Sequence, residues 1–364
     1  MFKRISTLCL ILLASSVLAG ADAKDYKIES GKLEGSLYKI AIPVKWNKKL
    51  LLNAHGGRPE TIPISADFKI EGTQNEKLLK EGWMIAETSY RRNGIFVNDG
   101  VEDLKILYDF IVKNHGKPEK TYIAGVSMGG KIVVKIAEEP KMRFDGIIAH
   151  CAALLCEDND PSMCEDKENL KKLTFKPNIP ILFYSNINEL EYVKEYISKA
   201  ESTKNTALWT SPRRGHCNTN YTEALKAVKA ISEWVENGRK PADETVLINV
   251  IRTDSLARHE KNGIFAKVKS INVYGSLVVD VSRIDLEKAN IKQDSHFQVT
   301  FKDKKFKPLL GHGYGDVAEK EWIGFITAED YLMVAINWEN AQKQLGCKEG
   351  DEIFIEKIMD KTTE

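Results

Sequence analysis

Ser127 stands between two glycines in Gly125-Val126-Ser127-Met128-Gly129, a G-x-S-x-G pattern placed where an apolar strand gives way to a helical repeat. A serine in that setting can act as a nucleophile, because the small neighbours let strand and helix close up beneath a strained serine backbone and lift its hydroxyl out of the sheet. Such a serine needs a base to take its proton, an acid to orient the base, and donors for the charge that develops on the attacked oxygen. The base candidate is His216, in Gly215-His216-Cys217. The acid candidate is Glu189, in Asn186-Ile187-Asn188-Glu189, with Glu191 in reserve; both could instead only favour the start of the helix that follows. Oxyanion donors are expected from the backbone N–H groups of Gly57, in His55-Gly56-Gly57-Arg58, and of Met128, with His55 structural within its turn rather than a second base.

These residues must be positioned by secondary structure. Strands read at 50–54, 83–88, 121–124, 146–150, 179–185 and 207–210, and helices at 74–81, 101–114, 131–138, 190–200 and 222–236. The alternation predicts a mostly parallel doubly wound α/β sheet, whose ligands sit at the carboxyl ends of the strands. Every candidate above falls at such an end. Residues 157–178 interrupt the alternation with an acidic, strand-free insert, read as a lid over the site, the alternative being a surface loop stapled by a disulfide.

The run Asn237-Gly238-Arg239-Lys240-Pro241 reads as a linker, so the first domain is taken as residues 24–240 and the second as 241–364. In the second, short strands read at 266–273, 277–281, 296–301, 322–327, 331–336 and 352–358, with one helical patch at 339–345, which predicts a compact, mainly β barrel-like domain.

Over 364 residues the formal charge is +1, which argues against a nucleic-acid partner. Met1–Ala23, with Lys3 and Arg4 ahead of an apolar run and small residues before the cut, reads as a secretory signal peptide, so the protein is expected to be exported, periplasmic or secreted, without stable membrane insertion. Five cysteines would remain in an oxidising compartment. Cys156 and Cys164 are the first choice for a disulfide, Cys151 and Cys217 a second pair, and Cys347 is left over. No histidine cluster accompanies them, so no metal site is expected. Two arginine pairs, Arg91-Arg92 and Arg213-Arg214, read first as solvated surface pairs; Arg91, Arg92 and Arg214 are the candidates should the substrate carry a carboxylate or phosphate.

With His55-Gly56-Gly57, the Gly125–Gly129 elbow and Gly215-His216 in the chain order serine, acid, histidine, residues 33–236 resemble the α/β-hydrolase superfamily. The departure is the acid loop, where many relatives carry Asp and this chain offers Asn188-Glu189. Esterases, lipases, peptidases and lyases share that fold, so the resemblance leaves the substrate open. The tail, through Tyr274–Val281, Gly313–Val317, Leu332–Asn337 and Leu345–Asp351, resembles the C-terminal domain of S-adenosylmethionine hydroxide adenosyltransferases, in which this barrel helps bind adenosine across a trimer interface. Where that family favours an F-G-N turn and a T-N pair, this chain has Tyr274-Gly275-Ser276 and Val279-Asp280, so a barrel that packs on the first domain or forms homo-oligomers is expected.

Together these imply an exported serine hydrolase acting on a small-molecule carboxylic ester or related acyl bond, without cofactor. The alternatives are a peptidase or thioesterase whose nucleoside-bearing substrate is oriented by the second domain, and a non-catalytic secreted binding protein on the same scaffold.

Overall fold

A computed structural model describes residues 25–140, 143–154, 173–260 and 263–358. Residues 155–172, which hold most of the expected lid with Cys156 and Cys164, and the leader Met1–Ala23 lie outside the described residues.

The first unit runs β1 (Tyr26–Leu33), β2 (Ser36–Pro43), β3 (Lys49–Ala54), α1 (Gln74–Lys80), β4 (Met84–Thr88), α2 (Val97–His115), β5 (Lys120–Val126), α3 (Met128–Ala137), β6 (Gly146–His150), β7 (Ile181–Asn186), α4 (Leu190–Lys199), β8 (Thr206–Ser211), α5 (Tyr221–Asn237) and β9 (Glu244–Thr245). They form one sheet in the order β1-β2-β4-β3-β5-β6-β7-β8-β9. The pairs β1–β2 and β2–β4 are antiparallel, and every pairing from β4 to β9 is parallel. The sheet is buried on both faces, which explains the apolar runs of its central strands. On one face Leu104 and Leu107 of α2, Ile132 and Val133 of α3 and Val193 of α4 enter a common core. On the other, Leu78 and Leu79 of α1 meet Val228 and Ile231 of α5. Each fully buried aliphatic side chain of this kind contributes ~1.5–3 kcal/mol.

Helix ends follow local chemistry. Thr73 caps α1 by accepting from Asn75 N, and Asn220 forms a reciprocal capping box with Glu223 at the start of α5. α5 stops at Gly238 in the left-handed conformation, φ 68°. The β1–β2 hairpin is an element that periodicity did not reveal, because β1 is an edge strand with no fully buried residue and no apolar alternation.

Past the expected break at Pro241 the chain still pairs with β8 through β9, and Val246 is buried. Ile248 O accepts from Arg213 Nη2 at 2.9 Å, whereas Arg252 N donates to Asp330 Oδ2 of the second unit at 2.8 Å. The crossing between units therefore follows Ile248, because a Gly-Pro-rich stretch ends a helix without ending a sheet.

The second unit contains β10 (Arg258–Glu260), β11 (Gly263–Ile271), β12 (Leu277–Val279), α6 (Arg283–Lys288), β13 (Phe297–Phe301), β14 (Lys304–Phe306), β15 (Leu309–Leu310), β16 (Trp322–Ile326), β17 (Leu332–Ile336), α7 (Ala341–Leu345) and β18 (Glu352–Lys357). The order is β14-β13-β18-β11-β12-β17-β16-β15, with β10 on β11. An irregularity between Val268 and Ser270 lets β11 serve two stretches of sheet, and the bridge His296↔Leu309 brings the ends of the curl together. Phe297, Val299, Leu277 and Ile355 fill its core. Among the described residues two α-helices occur where one was expected: α6 starts at a Ser282/Asp285 capping box and is too short to show a helical repeat.

Candidate active site

Ser127 sits between β5 and α3 at φ 56°, ψ −118°, a conformation that costs a non-glycine residue ~1–3 kcal/mol. It is held there by Ser127 N donating to His150 O at 3.0 Å and by Ala153 N donating to Ser127 O at 3.1 Å. The flanking glycines answer to contact. A Cβ on Gly125 would lie 2.2 Å from Gly129 O, and one on Gly129 would lie 1.9 Å from Ala54 O. Met128 is the first residue of α3, so its N–H has no acceptor within the helix and points with the positive end of the helix dipole.

His216 Nε2 lies 2.9 Å from Ser127 Oγ, and His216 Nδ1 is hydrogen-bonded to Glu189 Oε1. With Nδ1 donating to the carboxylate, Nε2 is left to accept the serine proton. Desolvation lowers the imidazole pKa, but the Glu189 hydrogen bond and charge outweigh it and hold His216 above its ordinary value. Glu189 closes a short 3-10 turn ahead of α4, while Glu191 is exposed in the first turn of α4. The histidine loop is fastened to the acid loop by two asparagines. Buried Asn186 accepts from Asn218 N at 2.9 Å and donates to Arg213 O at 3.0 Å, and Asn188 Oδ1 accepts from Gly215 N at 3.0 Å. Neither role carried a sequence signal beyond Asn-rich composition.

The glycine turn after β3 comes up against the nucleophile: a Cβ on Gly56 would lie 3.2 Å from Ser127 Cβ. Tyr90 OH donates to His55 O at 3.1 Å, and His55 Nδ1 is 2.7 Å from Gly56 O. A carbonyl can only accept, so Nδ1 carries the proton. Desolvation, helped by the Arg58 charge, pushes the His55 pKa down to about 4, which keeps the ring neutral. His55 thus fixes the peptide plane that carries the Gly57 N–H.

Residues 96–256 match the family model described as serine aminopeptidase, S33. The first unit is an α/β hydrolase. Residues 266–354 match the model of the S-adenosylmethionine hydroxide adenosyltransferase C-terminal domain, so a barrel of that type follows the hydrolase unit. A curated relative, the o-phthalyl amidase of Xanthobacter agilis, is 28% identical over 122 residues, which is 33% of this chain and 25% of that protein; the match spans about a quarter of that relative's length. Among solved structures, an uncharacterised conserved protein from Thermotoga maritima is 21% identical with a TM-score of 0.27, covering 33% of this chain and 44% of that one. The Pyrococcus furiosus esterase Pf2001 is 17% identical with a TM-score of 0.35, covering 51% of this chain and 82% of that one.

Three of the four arginines in the two pairs are committed to carboxylates of the hydrolase unit. Arg91 is committed to Asp103, a carboxylate with no solvent exposure, through Nε at 3.0 Å and Nη2 at 2.7 Å. Arg92 pairs with Asp99 at 2.7 Å and lies 3.5 Å over the Phe96 ring. Both guanidiniums therefore serve the start of α2. Arg213 pairs with the buried Glu223 at 2.6 Å, and Arg214 is exposed beside the histidine loop. The expected Cys151–Cys217 disulfide is not formed: both are free thiols, as is Cys347. Cys151 Sγ contacts Asn186 Oδ1 at 3.2 Å and Cys217 Sγ contacts His216 Nε2 at 3.5 Å, and the two thiols also interact with each other.

Proposed function

We propose that this protein is an exported serine hydrolase that cleaves a carboxylic ester or related acyl bond of a small molecule. One observation carries the reading: the hydrogen-bond chain from Glu189 through His216 to Ser127 at the elbow. Ser127 Oγ attacks the acyl carbon as His216 Nε2 takes its proton, and the carbonyl electron pair moves onto oxygen. The N–H groups of Gly57 and Met128 hold that oxyanion; losing one such donor typically costs ~10²- to 10³-fold in turnover. His216 then protonates the leaving alcohol, and water repeats the sequence on the acyl-enzyme. Export rests on the leader-like Met1–Ala23.

Ser127→Ala is expected to abolish labelling by a fluorophosphonate and to lower ester turnover roughly 10⁴- to 10⁶-fold. Undiminished labelling would sink the assignment. A second reading, amide cleavage, is favoured by the names of the matched aminopeptidase family and amidase relative. Matched nitrophenyl esters and nitroanilides assayed side by side separate the two.

A further inference from the structure

The second unit meets the hydrolase at the two glycine turns that flank the nucleophile. Tyr274, in the turn between β11 and β12, donates its hydroxyl to Gly57 O at 3.3 Å. His312 O comes so close to the base loop that a Cβ on Gly215 would sit 2.5 Å from it, and a Cβ on Gly313 would sit 3.4 Å from His216 N. A further tie, Tyr221 N to Glu329 Oε1 at 2.6 Å, fixes the barrel beside the start of α5.

These contacts complete a pattern in the oxyanion turn. His55 O, Gly56 O and Gly57 O each receive a hydrogen bond, from Tyr90, His55 and Tyr274 respectively. Like Gly56, Gly57 has no side chain, so it is a free joint in the turn. The peptide plane before it is held by His55 and the one after it by Tyr274.

Tyr274 is itself rigidly mounted. Asn272 Oδ1 accepts from Tyr274 N at 3.0 Å and from Ser276 N at 2.9 Å, and Gly275 O accepts from Gln342 N at 2.9 Å. Gly275 takes φ 80° with Asn340 packed against it, so the turn cannot swing away cheaply. Desolvation pushes the Tyr274 hydroxyl up to about 12, so it keeps its proton across the neutral range.

We propose that the C-terminal barrel is a working part of the hydrolase active site, with Tyr274 as a positioning residue that holds the oxyanion turn through the Gly57 carbonyl. The role rests on the serine-hydrolase reading above. Because it acts on a donor used most strongly in the transition state, its loss falls on kcat rather than KM.

The test is Tyr274→Phe, which removes only the hydroxyl, beside Tyr331→Phe as a barrel control whose ring packs under Arg252. For Tyr274→Phe a fall of about tenfold in kcat is expected, with KM nearly unchanged, a matching loss of affinity for a boronate transition-state analogue, and faster hydrogen exchange at the amides of residues 56–58. Tyr331→Phe should change none of these. Unchanged kcat, an equal loss in both variants, or faster exchange without a catalytic effect overturns the proposal while the hydrolase reading stands. Wild-type protein that neither turns over esters nor takes a fluorophosphonate at Ser127 overturns both.

Discussion

Glu189 sets the protonation of the site, because its hydrogen bond to Nδ1 is what raises the His216 pKa against desolvation. On the mechanism proposed above the free enzyme works only with His216 neutral, so kcat/KM climbs as pH rises through that raised pKa. Removing the carboxylate charge takes away the raising influence and moves this limb to lower pH. Glu189→Gln should therefore shift the acid limb of kcat/KM downward and cut kcat by about 10³- to 10⁴-fold, with Glu191→Gln changing neither. A pH–rate series on both variants checks this, and an unshifted limb would remove Glu189 from the acid role. The identity of the acid was half legible. Both glutamates stand at the right place in the chain, but only the 3-10 turn ending at Glu189 decides which one faces the imidazole.

At the scale of elements, the elbow is a steric device in which β3, β5 and α3 approach too closely for side chains. Gly129→Ala would put a methyl 1.9 Å from Ala54 O, a backbone atom with no room to move, so a loss of more than about 3 kcal/mol is expected. Gly238→Ala is the contrast: nothing lies within 4 Å of its Cβ position, and only φ 68° opposes it. It should cost about 1 kcal/mol. Urea denaturation of the two variants tests the distinction; equal losses would mean that Ala54 gives way and that crowding does not select glycine at 129. The helices and central strands were legible because burial repeats at their own periods. Strand β1 and helix α6 were not, because one has no fully buried residue and the other is shorter than two turns.

For the molecule as a whole, stability should depend on a carboxylate remote from the triad in sequence. Glu87 is buried, and desolvation raises its pKa from 4.5 to about 7 although Asp67 N donates to it at 2.8 Å. The unfolded chain releases this proton near 4.5 and the native state only near 7. Stability is therefore fully present below 4.5, falls between those values and stays lower above 7. Glu87→Gln should stabilise the protein by about 3 kcal/mol at pH 8 and hardly at all at pH 4, since Gln keeps the acceptor. Chemical denaturation at both pH values measures it, and an equal gain at both would refute the buried-charge account.

The G-x-S-x-G elbow, the β/α alternation, the order serine, acid, histidine, and the β character of the tail are all legible along the chain. The elbow, the alternation and the β character depend on neighbours a few residues apart, where periodicity and steric demand act, and the order is read directly along the chain. Which glutamate meets His216, that Arg91 and Arg92 serve Asp103 and Asp99, and that Cys151 and Cys217 are free cysteines emerge from the folded arrangement alone. It also brought Tyr274 to Gly57 across 217 positions of chain. Such contacts depend on how two sheets seat against each other, and no local pattern in the chain carries that information.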